Sequence, residues 1–190
     1  MMEWPVDVWS ISLLRARPAI LSEDEELRAN RLRFEDDRLR WTRARSAMRT
    51  ILAGYTRQAP ESLIFVCGAH GKPALSHSEV EFNLSHAGDW ALIAVARSVP
   101  VGIDIERMRE NVDIAALLLR IGETDLPEGL ARLYQTWTRR EARSKAAGGA
   151  LFDPPPREAC AVDLEAPEGY AASVAMVGFS PTPIYRSEAP

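Results

Sequence analysis

Apolar and polar positions alternate from residue 6 to residue 13, where Val6, Val8, Ile11 and Leu13 stand among polar neighbours; this predicts a first strand. Ser22 then opens an acidic stretch, SEDEELRANRLRF, with Glu25 at capping-box spacing, which predicts a helix start. From 37 to 53 the period changes: Trp41, Ala44, Met48, Ile51 and Leu52 recur at helical spacing, with Gly54 as the expected stop. Arg38, Arg40, Arg43, Arg45 and Arg49 lie mostly off that stripe, and a solvated face is the ordinary explanation of such a run. Short strands are expected at 63–67, 80–84 and 90–96, with AHGKPAL a loop between the first two and VGIDIE (101–106) continuing the sheet. Helices are expected within 112–121 and 126–147, the second ended by the prolines of DPPP (153–156). YAASVAMV (170–177) reads as a last strand, and SPTPIYRSEAP as a mobile tail. Strands and helices are mixed, which gives an α+β or α/β class. Two halves are faintly similar: VDVWSI matches VGIDIE, and WALIAVA matches YAASVAMV.

Composition narrows this picture in a few ways. A chain of 190 residues suffices for one compact domain or two small lobes. A net charge of −4 provides no global basic field for nucleic acid. No apolar run is long enough to span a bilayer, and the N-terminal residues do not read as a signal peptide, so a cytoplasmic protein is expected. Cys67 and Cys160 have no metal-ligand spacing and are expected to be lone buried thiols.

Four local patterns could carry chemistry. In GIDIE, Asp104 and Glu106 alternate along a strand and share a face, while Ile103 and Ile105 point to the core. Paired carboxylates are hard oxygen ligands suited to Mg²⁺, although two solvated acids are the ordinary alternative. In WTRREARSKAAGG, Trp137, Glu141 and Lys145 stack four apart on one helix face; an intrahelical Glu–Lys pair explains this as simply as a metal ligand with a phosphate-binding lysine does. In FNLSHAGDWALIAVA, His86 follows Ser85 at a strand end, where it is either a structural or a phosphate-contacting histidine, whereas His70 and His77 are expected to carry no role. In GKP, Lys72 is either a turn residue or an ammonium presented to an anion.

The order of these blocks is more informative than any one of them. GKP, FNLSHAGDWALIAVA, VGIDIE and WTRREARSKAAG, at these intervals between Arg33 and Leu151, resemble the 4′-phosphopantetheinyl transferases, in particular the larger monomeric kind that activates natural-product synthetases (the surfactin-synthetase-activating, or Sfp, type). The resemblance implies an α+β pseudo-dimer of two similar lobes, here 1–98 and 99–190, with the active site in the cleft between them. It implies that Asp104, Glu106 and Glu141 bind Mg²⁺ on the pyrophosphate of coenzyme A, and that Glu141 also helps deprotonate the acceptor serine. Lys145 would stabilise or protonate departing 3′,5′-ADP. Ser85 and His86 would contact phosphate, Lys72 the nucleotide end, and Arg40 the 3′-phosphate, with Arg38, Arg43 and Arg45 as alternatives.

The implied reaction moves the phosphopantetheine arm of coenzyme A to a serine of an apo acyl, polyketide or peptidyl carrier protein, with the enzyme a monomer. The rival readings are a Mg²⁺-dependent nucleotide hydrolase and a non-catalytic coenzyme A-binding relative. Arg140 and Ala150 depart from the family's usual lysine and glycine, and LLLRIGETDLPEGLARLY lacks the usual aromatic-rich segment that helps receive the carrier. Arg139, Arg140, Arg143 and the arginines of the long helix are the expected local positive surface for an acidic carrier.

Overall fold

The computed structural model describes residues 2–68, 70–149, 154 and 156–187. Strand β1 (Glu3–Ser12) leads into helix α1 (Glu23–Asn30) and the long helix α2 (Glu35–Thr56). Strands β2 (Phe65–Cys67), β3 (Pro73–Leu75), β4 (Val80–Ala87), β5 (Trp90–Arg97) and β6 (Val101–Arg107) follow. Helices α3 (Ile114–Arg120) and α4 (Leu130–Ala146) precede β7 (Ala159–Asp163), β8 (Tyr170–Val177) and β9 (Ser180–Ser187). The protein is an α+β fold.

Two main sheets form, ordered β4-β5-β1-β9 and β6-β8-β7. The expectation that 101–106 continues the first sheet is therefore corrected: β6 is an edge of the second. The period of two explains the layering. Ile11, Leu13, Ile93 and Val95 pack under Met48, Ile51 and Leu52 of α2, while Val6, Val8, Leu92 and Ala94 meet Ile103, Ile105, Val174 and Met176 of the second sheet. Ala142 and Ala146 of α4 close the far side against Ala175. The layers thus run helix, sheet, sheet, helix. The strands of the two similar sequence halves occupy like positions: β1 pairs antiparallel with β5, and β6 pairs antiparallel with β8.

Edges β4 and β6 meet through side chains rather than a backbone ladder. The Ile103 N–H donates to Asn83 Oδ1 at 2.9 Å, and Lys72 Nζ donates to the Val101 carbonyl at 2.9 Å. This substitution of side chains for ladder bonds explains why the sheet stops at β4.

Several expectations need correction. α2 runs through Gly54 and ends where Arg57 turns left-handed (φ 57°). The arginines at 45 and 49 are not a solvated face: both converge on Glu25, at 2.5 and 2.7 Å, and Arg49 also donates to the Pro60 and Leu63 carbonyls. Burial tends to raise the Glu25 pKa, but the Ser22 N–H and the two guanidiniums outweigh it and hold it below the ordinary value. That Ser22 N–H belongs to the capping box, which forms as the sequence predicts. α4 ends at Ala146, where Gly148 (φ 67°) and the Gly149 N–H on the Ser144 carbonyl terminate it, rather than at DPPP; Asp153 and Pro155 lie outside the described residues. Within the expected loop AHGKPAL, Pro73–Leu75 pairs with β2.

The expected tail is largely strand. β9 pairs parallel with β1, and its prolines 181 and 183 are tolerated because it is an edge strand; residues 188–190 lie outside the described set. Cys67 is exposed and Cys160 half-buried, and neither is disulfide-bonded.

Gly102 sets how closely α4 can approach β6. A Cβ there would lie 2.1 Å from the Ala142 carbonyl oxygen and 2.3 Å from the Ala146 nitrogen. We expect Gly102→Ala to cost about 2 kcal/mol or more by overpacking backbone against backbone, lowering Tm by roughly 5 °C or more. Gly54→Ala, in open helical space, should instead raise Tm by roughly 2–4 °C. Thermal melts of the two variants check both signs.

Candidate active site

The junction of the β4 and β6 edges, roofed by α4, gathers the residues that the sequence singles out. Asp104 projects from β6 on the face opposite Ile103 and Ile105 and is only 2% exposed. Its Oδ1 accepts hydrogen bonds from Ser85 Oγ on β4 at 2.9 Å and from Lys145 Nζ on α4 at 2.5 Å. Lys145 also reaches Ser85 Oγ at 3.3 Å. Lys145 thus bridges to the strand carboxylate, which sets aside the purely intrahelical pairing with Glu141. Asp104 Oδ2 and Glu141 Oε1 are buried with no hydrogen-bond partner. Buried carboxylate oxygens seldom stay unpaired, and such orphans point to a missing cation or donor.

The electrostatics agree with that geometry. Burial is the main force raising the Glu141 pKa to about 7; Asp104 and Glu106 add to it, and Lys145 and Arg140 oppose it. Burial and the Asp104 charge also raise the Glu106 pKa, against the Lys145 charge, the Trp137 indole N–H and Arg109. Trp137 packs in the α3–α4 core. The three acids stand in one field and repel one another. Among the described residues, no three His, Cys, Asp or Glu side chains are drawn together as a preformed metal site; a lysine ammonium holds the central position instead.

Other predicted residues lie near by but are differently engaged. Lys72 shares a cleft of ≈ 450 Å³ with His70, Asn83, Glu141, Ser144 and Lys145. Its ammonium is tied to the Val101 and Ala146 carbonyls, at 2.9 and 3.5 Å, and burial lowers its pKa against the pull of Glu81. His86 lines a neighbouring cleft of ≈ 210 Å³ with Arg28, Trp41, Arg45 and Cys67. His86 is an exposed strand residue; partial desolvation by its neighbours and the Lys145 charge lower its pKa, with Asp37 opposing.

Arg40 pairs with Asp89 at 3.0 Å, in the β4–β5 turn. Of its alternatives, Arg38 is exposed, Arg43 donates to the Leu13 carbonyl at 2.6 Å, and Arg45 faces the His86 cleft while pairing with Glu25. Arg139 is bidentate to Asp163, Arg140 meets Glu123, and Arg143 bonds the Ala159 carbonyl. The Ala150 departure lies outside the described residues. Gly102, Asn83 and Ser144 escaped the sequence reading, although a glycine inside a strand signals a close backbone approach.

A family model described as "4′-phosphopantetheinyl transferase, N-terminal" matches residues 9–98. The chain is 35% identical over 165 residues to the 4′-phosphopantetheinyl transferase HetI of Nostoc sp., covering 77% of this chain and 70% of that protein. The chain belongs to the 4′-phosphopantetheinyl transferase family. Other members are similar at lower coverage. A phosphopantetheinyl transferase of Thraustochytrium sp. is 31% identical, with 70% of this chain and 55% of that protein aligned. A 4′-phosphopantetheinyl transferase of Bacillus subtilis is 30% identical, with 72% of this chain and 64% of that protein aligned. The matches support neither the hydrolase reading nor the non-catalytic one. Among the described residues of this family member, no helix is long and apolar enough to cross a membrane.

The Glu141 pKa carries a stability consequence for the metal-free protein. A carboxyl whose folded pKa, about 7, lies above its ordinary value of 4.5 binds its proton more tightly when folded. Stability should therefore fall as pH rises from 4.5 to about 7. Urea melts in EDTA should show this fall, and Glu141→Gln should flatten it and be the more stable protein at pH values above that window.

Proposed function

We propose that this chain moves the 4′-phosphopantetheine arm of coenzyme A onto a serine of an apo carrier protein, releasing 3′,5′-ADP, as an Sfp-type, Mg²⁺-dependent member of its family acting as a cytoplasmic monomer. The observation that carries the reading is the buried Lys145–Asp104 pair at the β4–β6–α4 junction, in whose field Glu106 and Glu141 stand, with Asp104 Oδ2 and Glu141 Oε1 unpaired among the described residues. We read the fold as two lobes, 1–98 and 99–190, forming a pseudo-dimer. Support comes from the family match ending at residue 98 and from the like pairing of β1 with β5 and β6 with β8.

Hard carboxylate donors with orphaned oxygens suit a hard divalent cation. Asp104, Glu106 and Glu141 would hold it, and when bound it neutralises charge on the pyrophosphate of coenzyme A. The chain's own groups do the rest. Glu141, whose carboxylate lines the cleft, would take the proton of the attacking serine hydroxyl. The serine oxygen forms a bond to the β-phosphorus as the bond to the bridging oxygen breaks. Lys145 stabilises the negative charge left on 3′,5′-ADP. Ser85 orients Asp104 and Lys145 together, since its hydroxyl lies within hydrogen-bond distance of both. His86, Lys72 and Arg40 are proposed contacts for the nucleotide and its phosphates. Arg139 and Arg143 are proposed as part of the surface that the carrier meets; Arg140, expected there from the sequence, is instead buried against Glu123.

The test is intact-mass measurement of apo carrier proteins from fatty-acid, polyketide and peptide pathways, incubated with this protein, coenzyme A and Mg²⁺. One added phosphopantetheine per carrier, abolished by EDTA, is expected. Asp104→Ala and Glu141→Ala should abolish transfer while the circular dichroism stays that of the parent; full activity in either variant would remove the assigned metal and acid–base roles.

A further inference from the structure

Ser144 is a buried serine, 3% exposed, whose hydroxyl makes no hydrogen bond among the described residues. Helical hydroxyls elsewhere in this chain bond back one turn: Thr50 to the Ser46 carbonyl, Thr56 to Leu52, and Thr136 to Arg132. Ser144 does not, and it lines the ≈ 450 Å³ cleft beside Lys145. Across that cleft stands Asn83, 6% exposed. The Asn83 amide has a fixed orientation, because the group it meets, the Ile103 N–H at 2.9 Å, can only donate. Oδ1 must therefore face β6. Nδ2 is then the other branch of the amide and makes no hydrogen bond among the described residues, and Asn83 lines the cleft.

We infer that Asn83 Nδ2 and Ser144 Oγ form a neutral polar subsite for the pantetheine arm of coenzyme A, separate from the charged groups that meet its phosphates. The inference rests on the transferase reading above. Chemistry selects the arm over the phosphates. The Asn83 amide and the Ser144 hydroxyl are neutral, whereas Lys72 and Lys145 of the same cleft are the charged groups suited to phosphate. What remains unpaired is one amide N–H donor group and one hydroxyl, which complement a chain of amides and a hydroxyl. Retaining a buried hydroxyl without a partner costs stability, so a ligand that completes its bonding accounts for it.

Calorimetric titrations with coenzyme A and with 3′,5′-ADP, which lacks the arm, test this in the presence of Mg²⁺. Ser144→Ala should bind coenzyme A roughly three- to tenfold more weakly, the worth of a neutral hydrogen bond, and bind 3′,5′-ADP as the parent does. Its Tm should equal or exceed that of the parent. Asn83→Asp keeps an acceptor for the Ile103 N–H but loses the donor; its added charge opposes both anionic ligands, so its loss should be larger for coenzyme A than for 3′,5′-ADP. Equal weakening toward both ligands, or undiminished affinity for coenzyme A in Ser144→Ala, would overturn the subsite and leave the transferase reading standing. A parent that binds neither ligand would overturn both.

Discussion

Everything at the candidate site follows from one crowded contact: the Asp104 carboxylate, almost wholly buried, held by the Lys145 ammonium. A buried carboxylate is tolerable only with a counter-charge, and here Lys145 supplies it from a different element. That pair satisfies one oxygen of Asp104 and leaves the other bare. Glu141 and Glu106 then sit in the field of a third acid, and their pKa values rise as a result of burial and mutual repulsion. Three acids thus share one field in which Lys145 is bonded to Asp104.

Bringing a strand and a helix so close needs a gap in the side-chain layer. Gly102 provides it, two residues before Asp104, with the backbone of α4 where a Cβ would be. The same region explains why the two sheets stay separate. Asn83 and Lys72 bond the β6 backbone with side chains, so the sheet edges adjoin without a ladder and leave a cleft between them. Fold and site therefore share their parts: the residues that join the sheets also line the cleft.

Much of this was legible in the sequence wherever period and spacing carry the information. Two-residue alternation located β1 and β6, apolar runs located β5 and β8, and helical spacing located α2 and α4. GIDIE placed both strand acids on the face away from Ile103 and Ile105, and the four-residue spacing placed Glu141 and Lys145 together. What escaped depends on partners distant in sequence. Arg45 and Arg49 look like surface charge until Glu25 of α1 packs against them. β9 hides behind prolines that only an edge strand tolerates. Ser144 carries no periodic signal; only its buried environment reveals that its hydroxyl is unpaired.

The central claim is that Asp104, Glu106 and Glu141 share one cation. The most direct test is ¹³C NMR titration of the glutamate carboxyl carbons, with Glu141→Gln used for assignment, in the apo protein and again with coenzyme A and Mg²⁺. The account predicts that the Glu141 midpoint lies at about 7 in the apo protein and drops out of the neutral range when metal and coenzyme A are added. A midpoint that the metal does not move would contradict it.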